Sequence, residues 1–232
     1  MVMNHNTLKT SLNVLQSCNY NNNLPNLAAD NESLWELIHQ HQEWIYSRIT
    51  TFSQWELLSA AQATTIYLLL RVKQGRNSAA FPNGDIALLF TLGAIFRHFH
   101  KTTLLDSRPR QDFRQWVFFE SFTRIACIYF TLSAVVSTNF GLPCDDPKDW
   151  NFGSMLVPAT KASWVAANAS EWMSALPPEK ELTWRDLVST ASLDGSPVET
   201  WKESSDELGM VVMMTMTLIS QQPQYLIPSP SM

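Results

Sequence analysis

Glu120 and Arg124 stand four positions apart inside the most apolar run of the chain, Trp116-Val117-Phe118-Phe119-Glu120-Ser121-Phe122-Thr123-Arg124-Ile125-Ala126-Cys127-Ile128-Tyr129-Phe130. On a helix, positions i and i+4 meet on one face, and glutamate ahead of arginine is the favourable order. Trp116, Glu120, Thr123, Arg124, Cys127 and Thr131 then form one seam in a helix otherwise built of Val, Phe, Ile, Leu and Ala. A helix apolar on nearly all sides belongs in the middle of a protein, so the seam predicts a charge pair buried in a helical core. Such a pair can act in two ways. It can specify how helices join, since deleting one partner of a buried pair typically costs ~3–5 kcal/mol. It can also line a ligand pocket or a regulatory switch, with Glu120 as the acid–base group.

Other chemistry-bearing residues are arranged less suggestively. His98 and His100, like His39 and His41, are two apart, which on a helix turns them about 200° from each other and away from a shared metal. No His-Glu-x-x-His run is present. Ser121 lies mid-helix rather than on a Gly-x-Ser-x-Gly elbow. Gly75, Gly84 and Gly93 stand alone, so no glycine loop cradles a phosphate. Asp145, Asp146 and Asp149 fall in one proline-bearing stretch that reads as a solvated loop. Cys18, Cys127 and Cys144 are odd in number and widely spaced, against both a disulfide scaffold and a zinc site. The expectation is no catalytic residue, no metal ligand and no cofactor.

The balance of the chain bounds its class. Hydrophobic residues make up 45%, enough for a sizeable core, and seven glycines are too few for the turns of an all-β fold. The net charge of −5 offers no basic stripe for gripping phosphates. Arg108-Pro109-Arg110, extended to Arg114, is flanked by Asp106 and Asp112 and reads as a loop. The apolar runs Ile86 to Phe96 and Ile125 to Val136 fall short of the ~18–20 residues a bilayer crossing needs, so no membrane is expected.

The elements that must position the seam follow from caps and periodicity. Residues 1–30 are Asn-rich and read as a disordered arm, with a short helix possible over Leu8 to Leu15. Asn31 with Glu32 begins a helix whose stripe is Leu34, Leu37, Ile38, His41, Ile45 and Ile49. Ser53 and Glu56 form a capping box for a second helix, Trp55 to about Gln74. Its run Thr65 to Leu70 is apolar all round and predicted to be central. Asp85 opens a third helix to about His100, and Asp112 caps the long seam helix, which reaches about Asn139. Shorter helices are expected over Thr160 to Ala175 and Thr183 to Thr190. A last helix is expected over Glu199 to Ser220, rich in Met210, Met213, Met214 and Met216, which suits either core packing or partner docking. The tail 221–232 is proline-rich and read as flexible. The predicted fold is all-α, a single irregular helical bundle over 31–220 with long buried central helices.

Three stretches resemble the regulatory half of fungal Zn2Cys6 binuclear-cluster transcription factors. The first is Leu57-Leu58-Ser59-Ala60-Ala61-Gln62-Ala63, continuing to Tyr67-Leu68-Leu69-Leu70-Arg71. The second is Arg114-Gln115-Trp116 followed by Glu120-Ser121 and Arg124, similar to that family's Trp…Glu-Ser-x-Arg-Arg helix, with Thr123 standing where the first of two arginines is usual. The third is Leu156-Val157-Pro158-Ala159-Thr160-Lys161-Ala162-Ser163-Trp164, then Ala166-Ala167 and Glu171-Trp172, with Leu142-Pro143-Cys144 like the preceding loop. The six-cysteine cluster that defines the family is not in this sequence, which has three cysteines.

The resemblance implies a nuclear, transcription-regulator-like protein that makes no sequence-specific DNA contact of its own. It would act through partners, such as a full-length zinc-cluster regulator or a coactivator, or through a small-molecule effector, in control of a secondary-metabolic pathway. It makes Trp116, Glu120, Arg124, Trp164 and Trp172 the structural or pocket residues. The alternative is an accessory or catalytic protein of a fungal biosynthetic pathway that uses the helical-core pocket.

Overall fold

A computed structural model describes residues 27–74, 79–102, 109, 111–140, 155–176, 181–189 and 197–220. Among these the fold is all-α, with nine helices and one isolated β-bridge. The chain divides into two compact units, residues 1–103 and 104–232, where the sequence draws one domain over 31–220.

The first unit holds α1 (Leu27–Arg48), a 3-10 turn (Ile49–Thr51), α2 (Gln54–Gln74) and α3 (Gly84–Thr102). α1 starts four residues before the expected cap at Asn31, so Leu27 to Asp30 belong to a helix rather than to the arm. Glu32 is consequently not a first-turn residue. Its carboxylate accepts from the Ala79 and Ala80 amides, at 3.3 and 2.8 Å, and anchors the approach to α3. The possible helix over Leu8 to Leu15 lies outside the described residues. The capping box of α2 forms as its sequence dictates: the Ser53 amide donates to Glu56 Oε2 at 2.9 Å, and the Glu56 amide donates to Ser53 Oγ at 3.4 Å.

Ala60, Ala61 and Ala63 on α2 are fully buried, and their small side chains let it approach closely. Ile38, Ile45, Tyr67, Leu88, Leu92, Ile95 and Phe99 complete the core; each such side chain contributes about 1.5–3 kcal/mol by leaving water. The second half of α2 is not central all round. Leu69 and Val72 face outward, because one face of the helix suffices to meet its neighbours. Two polar ties cross this core. Gln42 Nε2 donates to Thr91 Oγ1 at 2.8 Å, and His41 Nδ1 lies 2.8 Å from the Tyr67 hydroxyl. Burial lowers the pKa of His41 and so favours the neutral imidazole beside the tyrosine hydroxyl.

The second unit is built on α4 (Phe113–Phe140), with α5 (Lys161–Val165), α6 (Ala169–Ala175), α7 (Trp184–Ser189), α8 (Pro197–Ser204) and α9 (Glu207–Ser220) around it. Asp112 caps α4 through the Arg114 and Gln115 amides, at 2.9 and 3.3 Å. The apolar run is longer than its sequence segments suggest: Phe113–Val135 is long and apolar enough to cross a membrane by length and composition, a test that core helices also pass. Here its Trp116, Phe118, Phe122, Cys127 and Tyr129 are buried.

Two expected helices are each broken in two. The stretch Thr160 to Ala175 stops after Val165 and restarts at Asn168, whose side chain accepts from the Ser170 and Glu171 amides, both at 3.0 Å. Glu171 Oε2 in turn accepts from the Ala167 amide at 2.9 Å, so a cap at Asn168 outcompetes helix continuation. The stretch Glu199 to Ser220 stops at Ser204 and restarts after Asp206, which caps α9 through the Leu208 and Gly209 amides at 3.1 and 3.4 Å. Ser205 folds back so closely that a Cβ on Gly209 would lie 2.5 Å from its side chain; only glycine fits there.

Candidate functional site

The five candidate residues fall on three elements of the second unit. α4 supplies Trp116, Glu120 and Arg124; α5 supplies Trp164; α6 supplies Trp172. An extended stretch, Met155 to Thr160, leads into α5 and is held on both sides. It is pinned by the Leu156–Thr183 bridge, with Val157 donating to the Leu182 carbonyl at 3.1 Å and Trp184 to the Met155 carbonyl at 2.9 Å. The Trp201 indole N–H donates to the Pro158 carbonyl at 2.8 Å.

Glu120 is 0% exposed. Its Oε1 accepts from the Ala159 amide at 3.0 Å and lies 3.5 Å from Arg124 Nη1. The carboxylate therefore ties α4 to the extended stretch. Arg124, 14% exposed, aims its other nitrogen elsewhere: Nη2 donates to Asp206 Oδ2, the other oxygen of the carboxylate that caps α9. Its guanidinium also sits over the Trp164 ring, 4.5 Å from the centroid. One planar cation thus joins α4, α5 and the start of α9, a use for which arginine's rigid fork suits better than lysine.

The tryptophans extend the cluster. Trp172 packs against Trp116 at 5.7 Å and Phe113 at 5.6 Å between ring centroids, and Phe113 stacks on Trp116 at 6.4 Å. The buried Trp172 indole N–H meets no acceptor among the described residues, a cost of about 1–3 kcal/mol offset by the area three large rings bury. The α5–α6 turn is closed by Ser163 Oγ, which donates to the Ala175 carbonyl at 2.8 Å.

The expected seam is thus real in outline and corrected in its pairing. Trp116, Glu120, Thr123 and Cys127 are buried along one side of α4, and Thr131 bonds Thr215 of α9 at 2.9 Å. Yet the i,i+4 pair is the looser contact, and the close partner of Arg124 is Asp206, 82 residues on. Asp206, Trp201, Phe113 and Thr215 are absent from the sequence-based site. For Asp206 a signal exists: an aspartate followed by glutamate at the head of the apolar run from Leu208 reads as an N-cap.

The chemistry open to this cluster is that of a clamp. Two hydroxyls on α4 are turned to their own helix, Ser121 to the Val117 carbonyl at 2.7 Å and Thr123 to Phe119 at 3.0 Å. Among the described residues, no group of three or more His, Cys, Asp and Glu could hold a metal ion. The Asp145 to Asp149 loop and the Arg108 and Arg110 positions lie outside the described residues. The Met-rich helix divides: Met216 is buried, whereas Met210 and Met214 lie exposed. Comparison with family models, curated proteins and solved structures returns no match.

Proposed function

We propose that this chain is a transcription-regulator-like protein that acts by contact, through protein partners or a small effector, in control of a secondary-metabolic pathway in the nucleus. The observation that carries the reading is a convergence. Two of the three stretches that resemble zinc-cluster regulators, the Trp116-Glu120-Arg124 helix and the Leu156-to-Trp172 segment, meet through Glu120 and Ala159, Arg124 and Trp164, and Trp116 and Trp172. The residues that carry the likeness are the ones that hold these elements together.

A clamp of this kind suits regulation by contact. It fixes the relative placement of α4, α5 and α9, and anything that loosens it changes which surfaces are presented. DNA reading is not part of the proposal: with a net charge of −5 and three cysteines, this sequence carries neither a basic reader nor a six-cysteine cluster.

Affinity purification of the tagged chain from its native host, read by mass spectrometry, tests the proposal. Recovery of a full-length zinc-cluster regulator or a coactivator subunit is the expected result. Recovery of biosynthetic enzymes alone would overturn it in favour of an accessory role in a pathway. As a second arm, fusion to a heterologous DNA-binding domain should change transcription of a reporter bearing the matching site. An unchanged reporter, with the fusion expressed and soluble, counts against the reading.

A further inference from the structure

We draw no further inference here: the strongest candidate, the exposed apolar strip Met210, Val211, Met214 and Leu218 along the outer face of α9 in the second unit, is an unpartnered helix face, and nothing in the structure shows what covers it.

Discussion

Each unit buries an arginine against an indole face, and the two reach over very different lengths of chain. In the first, Arg71 is 1% exposed, lies 5.0 Å from the Trp35 ring centroid, and donates from Nη2 to the Phe81 carbonyl at 3.1 Å. Phe81 is ten residues away, in the connection between α2 and α3. In the second, Arg124 lies over Trp164 and reaches a carboxylate 82 residues away. The first arginine fastens a connection next to its own helix. The second fastens helices that no short connection joins.

The difference follows from what each unit is made of. The first has three helices of 22, 21 and 19 residues, long enough for packing faces to set their arrangement. The second sets helices of 5, 7, 6, 8 and 14 residues around one of 28. Helices that short are marginal alone. Side-chain caps and long-range polar ties must place them, and the Glu120–Arg124–Asp206 cluster with Trp201 and Ser163 does so.

The sharpest way to break the comparison is Arg124→Met. It leaves the Glu120 and Asp206 carboxylates without their shared cation, and loss of one partner of a buried pair should cost about 3–5 kcal/mol. Denaturant unfolding followed by hydrogen exchange should show protection lost over 113–135, 155–176 and 207–218 and kept over 34–72. Equal loss in both stretches would mean the two units do not differ as argued. Arg71→Met removes the bond to the Phe81 carbonyl, a charged hydrogen bond of about 1.5–3 kcal/mol, and should confine early exchange to the first unit.

Asp206 separates two roles in one side chain. Asp206→Asn keeps a good N-cap and gives up the ion pair, whereas Asp206→Ala gives up both. The alanine variant should be less stable than the asparagine variant by about 1 kcal/mol. Equal midpoints in urea would show that capping of α9 does not depend on this residue.

The smallest effect is one of pH, and it belongs to the first unit. Burial lowers the pKa of His41 from its ordinary value of 6.5, so as pH falls the unfolded chain takes up the proton first. Its stabilisation is whole above about pH 6.5 and is lost as pH falls toward and through the lowered folded value. Thermal melts should therefore show the first unit weakening on acidification, as the buried His41 is forced to take up charge. His41→Asn should flatten that part of the profile; an unchanged slope would assign it to other groups.

What could be read in advance was local. Ser53 with Glu56, and Asp112 ahead of α4, act on amides two or three residues away, so their caps form wherever the chain around them is helical. The seam on α4 was legible for the same reason, since helical spacing alone puts Trp116, Glu120 and Cys127 on one side. The errors lie where two local rules compete. Over 160–175 and 199–220 apolar spacing favours one continuous helix, while Asn168 and Asp206 offer caps in the middle.

The amino-acid order by itself determined that the chain is helical, that α4 carries an acid and a base on an apolar helix, and which residues cap α2 and α4. Those features depend on neighbours within about one turn. Only the tertiary structure decided that Arg124 answers to Asp206 more closely than to Glu120, that Glu120 holds the Ala159 amide, and that Met216 is buried while Met210 and Met214 are not. An i,i+4 spacing makes a contact possible, but a guanidinium goes to whichever carboxylate the packed chain brings within reach, and that carboxylate stands 82 residues along the sequence.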